Sequence, residues 1–336
     1  MTTDFMATLR ERARVSPQRI VFPESGEENI LRAAGQVLDE GLVQPVLLGD
    51  PGELAETAGR SGLSLSGIEI VDIADAGVLA ELAEECHALF PEISLRGAER
   101  KLRSPLNVGS FLVAAGRADA LVAGLQHATQ DVILASMTFI GMQEGISTPS
   151  SLFLMRVPGF DGPQGELIVF ADCGVAVAPD AGELADIALA TAHTVRALLE
   201  WEPRIAMLSF STKGSGDHES VDRVLAALQL VKERDPALLI DGEFQVDAAI
   251  VPAVAARKVP GDSPVAGRAN ILIFPDLNAG NIAYKCVQRF ANADAFGPFL
   301  QGFAKTVSDL SRGSSVADIV GVATMASVHA QGLKRL

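Results

Sequence analysis

Two loops hold the residue types best suited to anion chemistry. The first, residues 211–216, reads STKGSG. Its glycines let backbone N–H groups approach a ligand, its hydroxyls donate, and Lys213 adds a positive charge, as an anion at a helix N-terminus requires. An ordinary Gly/Ser turn with a solvated lysine has the same composition, and the two readings stand level. The spacing G-x-x-x-x-G-K-[ST] is absent, so this is no Walker A loop. The second, residues 311–318, reads SRGSSVAD. Arg312, just ahead of a helix, suits bidentate grip of a phosphate with help from the helix dipole. Ser315 followed by Asp318 has the form of a capping box, so by residue type alone Asp318 is a cap before it is a catalyst. Asp172 and Asp276, at strand ends, read as turn or cap residues. Polar residues also fill residues 124–131 (GLQHATQD), 275–285 (PDLNAGNIAYK) and 301–318. His127 in the first of these reads as a hydrogen-bonded structural residue. The five histidines show no metal-ligand spacing, and no metal site is expected. A G-x-S-x-G elbow is absent, as is a G-x-G-x-x-G after the first strand.

These loops need elements to position them. Residues 19–23, 43–49, 68–73 and 118–124 read as strands, with Pro45 marking an irregular or edge position. Residues 27–40 and 76–90 carry helical apolar spacing. Residues 152–157 and 166–172 flank a Pro/Gly-rich turn and read as a hairpin-like pair, so a second domain starts near residues 145–151. Helices then follow at 181–199, 221–233 and 281–291, and strands at 204–209, 270–274 and 293–300, before a last helix near Ser315. Strand alternating with helix predicts an α/β fold with mostly parallel sheets. Ligands in such sheets sit at the carboxyl ends of strands, where the polar loops lie.

The chain of 336 residues carries 42 acidic and 27 basic side chains, a formal charge of -15. With 48% apolar and 21% charged residues it has the composition of a globular protein of about two domains. The negative balance excludes a general nucleic-acid binder, and one Trp and one Tyr leave no stacking platform for single strands. The opening residues carry charges throughout and no apolar h-region, and no uninterrupted apolar run reaches membrane-spanning length, so neither a leader nor a membrane partner is expected. Three scattered cysteines fit a reducing, cytoplasmic setting.

Five blocks carry a resemblance. Residues 207–214 (MLSFSTKG), 241–250 (DGEFQVDAAI), 265–270 (VAGRAN), 273–285 (IFPDLNAGNIAYK) and 309–319 (DLSRGSSVADI) resemble, in order, the phosphate acetyl/butyryl transferase family. The acetyl-transferring members are the closer kin. The resemblance implies two α/β domains with mostly parallel sheets, isocitrate/isopropylmalate dehydrogenase-like, facing across a cleft. Domain I would span residues 1–146 and 300–336, and domain II residues 147–299, through which the chain would form a homodimer. It implies reversible acetyl transfer between CoA and phosphate, with acetyl-CoA, phosphate and acetyl phosphate as partners and no cofactor beyond CoA as substrate. Asp318 corresponds to the base on the CoA thiol, Ser311 to a hydroxyl that interacts with the base or substrate, and Arg312 to the phosphate-binding group. Thr129, Ser211, Thr212, Lys213, Gly214, Asn281, Lys285, Arg289, Gln301 and Gly302 are the expected CoA and phosphate contacts. Lys213, Lys285, Arg289 and Arg312 would supply a local positive cleft in an acidic body.

The sequence also departs from the family. Ser314 stands where a cysteine is usual, which disfavours an acyl-cysteine intermediate there. Leu134 stands where D-T-L-R-P places an arginine, and Ala88 or a neighbour where a second is expected. The usual K-P-x-N-D-L-S-R reads KTVSDLSR over residues 305–312. Arg96, Arg100, Lys101 and Arg103 either compensate or form a solvated helix face. A weak or inactive acyl-CoA/acyl-phosphate-binding protein, or a transferase for a larger acyl group such as butyryl, remains the alternative reading.

Overall fold

Three buried apolar residues, Ile20, Val21 and Phe22 of the strand Gln18–Phe22, start the first sheet of a structure that is a computed structural model describing residues 5–336. Residues 1–4, which open the stretch expected to carry no leader, lie outside the described residues. The chain divides into two compact units, Met1–Gly141 with Phe303–Leu336, and Met142–Gly302. The sequence placed these boundaries after residues 146 and 299.

The first unit begins α1 (Phe5–Val15), β1 (Gln18–Phe22), α2 (Glu28–Asp39), β2 (Val43–Leu48), α3 (Pro51–Arg60), β3 (Glu69–Val71) and α4 (Ala76–Leu89). It continues through α5 (Leu95–Lys101), α6 (Pro105–Ala114), β4 (Ala120–Ala123) and α7 (Thr129–Phe139). The second unit holds β5 (Ser150–Arg156), β6 (Leu167–Ala171), α8 (Ala181–Leu199), β7 (Arg204–Leu208), α9 (Glu219–Arg234) and β8 (Leu239–Phe244). It ends with α10 (Val246–Ile250), α11 (Pro252–Lys258), β9 (Ile271–Ile273), α12 (Leu277–Phe290) and β10 (Asp294–Gln301). The chain returns to the first unit as β11 (Thr306–Asp309) and α13 (Val316–Leu333).

The first unit's sheet is all parallel in the order β11-β4-β1-β2-β3. All four residues of β4 are buried, as expected of a parallel strand covered on both faces. Pro45 lies inside β2 and pairs with Ile20 of β1, so the strand is not an edge. The residue is tolerated because β3 pairs with β2 only from Val46 onward, so no ladder bond on that side is lost at Pro45. Among the described residues, α13 is the one helix with the length and apolar content to cross a membrane. It is a core helix: Ile319, Val320, Ala323, Met325, Ala326 and Val328 are buried, and it packs on β1, β4 and β11.

The second unit's sheet runs β10-β5-β6-β9-β7-β8. The expected hairpin is there, β5 antiparallel to both β6 and β10, while β6, β9, β7 and β8 are parallel. The fold is thus α/β with two mostly parallel sheets.

Candidate active site

In the first unit the chain fills β1, β2 and β3 to one side of β1, then crosses to β4 and β11 on the other. The strand order reverses between β1 and β4, and the crevice at the carboxyl ends of such strands is where open α/β sheets bind ligands. Three loops leave the sheet there. Glu24, just past β1, is 4% exposed. Its carboxylate accepts the backbone N–H groups of Leu125 (2.8 Å), Gln126 (2.8 Å) and His127 (2.9 Å), and lies 2.8 Å from His127 Nδ1. Burial alone would raise its pKa, but these donors outweigh it and hold the group below the ordinary value. The sequence reading of His127 as a hydrogen-bonded loop residue matches this placement.

Asp309 ends β11 and is 4% exposed. Its Oδ2 accepts the Thr129 hydroxyl at 2.5 Å, whereas Oδ1 has no hydrogen-bond partner among the described residues. Burial pushes its pKa up to about 6 against the Thr129 hydrogen bond, and the Glu24 charge adds to the rise. Gly124, at φ +110, makes this approach possible: a Cβ there would sit 2.2 Å from Asp309 Oδ1 and 2.7 Å from Leu310 N.

Beyond Asp309, Leu310 N–H bonds the Ala123 carbonyl (2.7 Å), and Ser314 N–H bonds the Ser311 carbonyl (2.9 Å), so the segment turns sharply into α13. Ser311 and Arg312 are exposed in that turn, and Ser314 is buried, where a small side chain fits. The capping box is formed: Ser315 Oγ accepts Asp318 N–H (3.2 Å), and Asp318 Oδ2 accepts Ser315 N–H (2.9 Å). The Ser315 hydroxyl also lies 2.8 Å from Oδ2. Asp318 is exposed, and its Oδ1 makes no hydrogen bond among the described residues. Ser311, Arg312, Asp318 and Thr129 therefore share one end of the first unit's sheet. Leu134, on α7, is 65% exposed, and Arg96, Arg100 and Arg103 form a solvated face around α5.

The second unit holds the other expected contacts. Its loops after β6, β7 and β9 emerge at one end of parallel strands. In the STKGSG loop the donors are engaged within the protein. The N–H of Gly214 is spent on Glu243 Oε1 (2.8 Å), that of Lys213 on the Glu243 carbonyl (3.2 Å), and those of Thr212 and Gly216 on Ser215 and Ser211 hydroxyls. Ser211 Oγ donates to Glu243 Oε1 (2.7 Å). Lys213 is not solvated either: Nζ bonds Asp241 Oδ1 (2.6 Å) and the Gly242 carbonyl (2.6 Å). Burial opposes it, but Lys213 and Ser263 hold the Asp241 carboxyl below its usual range. To serve an anion, Lys213 must leave Asp241. Gln301 is 2% exposed and donates to Ser150 and Thr191 hydroxyls, and Gly302 packs against the Thr148 carbonyl, so both are built into the core. Asp241 and Glu243 on β8 thus engage Lys213 and the loop's N–H groups.

Asn281 donates to the Cys173 carbonyl (3.0 Å), while Lys285 and Arg289 lie exposed one turn apart on α12. Asp276 caps α12 through Ala279 N–H, and Asp172 gathers the N–H groups of Ser151, Gly174 and Ala176, the turn and cap roles their types implied. Glu24, Asp309, Asp241 and Glu243 were not singled out from the sequence: Glu24 lies just past a strand, Asp309 ends one, and Asp241 and Glu243 interrupt one. Among the described residues no group of three or more His, Cys, Asp or Glu stands close enough to hold a metal ion.

One of the two α/β units thus presents an exposed serine and arginine in the turn at its switch point, and an exposed aspartate in the first turn of the helix that follows. The family model for phosphate acetyl/butaryl transferase matches residues 4–327. A phosphate acetyltransferase of Thermoanaerobacterium thermosaccharolyticum is 45% identical over 323 residues, 96% of this chain and 98% of that protein. The crystal structure of a phosphotransacetylase from Streptococcus pyogenes superposes with a TM-score of 0.90 at 39% identity, covering 98% of this chain and 99% of that one. A 4-hydroxythreonine-4-phosphate dehydrogenase from Klebsiella pneumoniae shares the fold alone, with a TM-score of 0.56 at 10% identity over 94% and 98% of the two chains. The chain belongs to the phosphate acetyl/butyryl transferase family, whose members are acyltransferases.

Proposed function

We propose that this protein transfers an acetyl group reversibly between CoA and phosphate: acetyl-CoA plus phosphate gives acetyl phosphate plus CoA. The observation that carries the reading is the exposed Ser311–Arg312 turn feeding a helix whose first turn presents Asp318. The names of the relatives support the substrates. A thiol of pKa about 8.5 is mostly protonated at pH 7, so a base must take its proton. Asp318 does so through Oδ1, the oxygen its capping box leaves open. The thiolate attacks the acetyl carbonyl of acetyl phosphate, the C–S bond forms, the C–O bond to phosphate breaks, and the electron pair leaves on phosphate. Arg312 holds that phosphate, the α13 N-terminus assists, and Ser311 donates to the reacting oxygen or to Asp318. The step balances without a further co-reactant. Thr129, Asn281, Lys285 and Arg289 are proposed CoA and phosphate contacts, as are Ser211, Thr212, Lys213 and Gly214 once Lys213 leaves Asp241, with Gln301 and Gly302 supporting them from the core. The protein acts as a cytoplasmic homodimer through the second unit, where α12 leaves Ile282 and Phe290 exposed.

Leu134 favours a second reading, a transferase for a larger acyl group or a weak acyl-CoA binder, because an exposed apolar side chain replaces a cation. Thioester formation from CoA with acetyl, propionyl and butyryl phosphate, followed by ultraviolet absorbance, separates them. The acetyl donor is expected to react fastest. Asp318→Asn is expected to lower kcat by about 10²–10⁴ with little change in KM. Saturable CoA binding without turnover of any donor would overturn the transferase reading.

A further inference from the structure

We propose that Asp309 is a positioning residue of the transferase: its ionised carboxylate takes the Thr129 hydroxyl hydrogen bond and so fixes the loop between β4 and α7 beside the turn that carries Ser311 and Arg312. The inference rests on the proposed acetyl transfer. Asp309 is the last residue of β11, two positions ahead of Ser311, and Thr129 is the first residue of α7. Their 2.5 Å bond spans 180 residues of sequence and ties two loops that leave adjacent parallel strands. Among the described residues Oδ1 has no hydrogen-bond partner and Thr129 is the one side-chain donor on this carboxylate; the Leu310 N–H, bonded to the Ala123 carbonyl, also favours the ionised form.

The charge state of Asp309 decides what that bond is. Ionised, Asp309 can only accept, and the Thr129 hydrogen points at Oδ2 with its lone pairs turned away. Protonated on Oδ2, Asp309 becomes the donor and the Thr129 hydroxyl must accept, so its hydrogen is redirected; protonated on Oδ1, it leaves Thr129 only a weaker, neutral acceptor. The group titrates at about 6, close enough to neutral pH for both states to be reached in an assay. The groups that face it are few. Glu24, past β1, opposes its ionisation, and His127 answers to Glu24. Asp131 on α7, Arg312 on the same loop and Asp318 on α13 are exposed, while His329 of α13 lies 2.8 Å from the Thr306 hydroxyl at the far end of β11. Of the two buried carboxyls at this end of the sheet, Asp309 is thus held above its ordinary range and Glu24 below its own.

The test is the pH profile of kcat/KM for acetyl phosphate and CoA in the full-length protein. The parent is expected to lose rate on an acid limb near pH 6. Asp309→Asn, whose amide oxygen still accepts from Thr129, is expected to keep most of the neutral-pH rate and lose that limb. Thr129→Val should cost about tenfold or more at pH 8, as expected for a lost hydrogen bond to a charged group, and Thr129→Ser should restore it. An unchanged limb in Asp309→Asn, or a Thr129→Val variant with parental rate, overturns the proposal while leaving the transferase reading intact. A parent protein without turnover overturns the transferase reading; the bond is then judged from a double-mutant cycle of Asp309→Ala and Thr129→Val in urea unfolding. Coupling at pH 8 that falls by pH 5 supports the inference, and no coupling at either pH overturns it.

Discussion

Replacing Asp309 by Asn should stabilise this protein by an amount that grows with pH. The carboxyl is 4% exposed and titrates at about 6 in the fold, against an ordinary 3.8. At 1.36 kcal/mol per pK unit, that gap is worth ~3 kcal/mol. The folded state holds the proton more tightly than the unfolded chain does. Below pH 4 both states are protonated and the group costs nothing. As pH rises the unfolded chain releases its proton first, so stability falls until the folded group also ionises, and the loss is complete above about pH 7. Asn has nearly the same shape, fits beside Gly124, and keeps an acceptor for Thr129, but has no proton to release. The advantage of Asp309→Asn over the parent should therefore widen with pH. About half of that total falls between pH 5 and pH 8. Urea unfolding of both proteins across that range measures it. Parallel stability curves, or an advantage that shrinks as pH rises, would refute the assignment of a raised carboxyl to this position.

Leu134→Arg adds a cation at an exposed helical site, so the fold should be undisturbed, and KM for CoA should fall by about tenfold if the resemblance places this position at the substrate; an unchanged KM would remove α7 from CoA contact. Gly280→Ala should lower the melting temperature by the equivalent of about 1–3 kcal/mol, because a Cβ there would lie 2.1 Å from the Asp172 carbonyl oxygen. A parental melting curve would mean that α12 shifts at no cost.

What the sequence revealed follows from where each element's determinants lie. Helix α8 was legible to the residue because they are local: Asp180 and Glu183 form its capping box and the apolar repeat runs its full length. The β5–β6 pair was legible from its Pro/Gly turn. Strand β8 was missed because Asp241 and Glu243 interrupt its apolar pattern, although both are largely buried and serve the STKGSG loop. Helix α6 is buried on nearly every side, so no polar face marks its period. The turn with Ser311, Arg312 and Asp318 was readable as a motif. The partnership of Asp309 with Thr129, and that of Glu24 with residues 125–127, joins segments about 100 or more residues apart, and no local pattern encodes it.

The acidic balance also takes on a different meaning. A net charge of -15 is by itself unfavourable to anions such as CoA and phosphate. Yet several of those charges are buried near strand ends or, for Asp186, on α8, each surrounded by donors. Glu24 holds the β4 exit, Asp172 the β6 exit, Glu243 the β7 exit, and Asp186 the Ser147–Thr148 segment together with Arg234. A carboxylate ringed by N–H dipoles is largely neutralised where it sits, and its job is to fix a loop. Exposed charges are screened beyond about 8 Å at physiological salt. An anion arriving at the first unit's switch point therefore responds mainly to what is near: Arg312, and the N–H groups at the start of α13. The acids that make the whole chain negative are, at these positions, what holds the loops still.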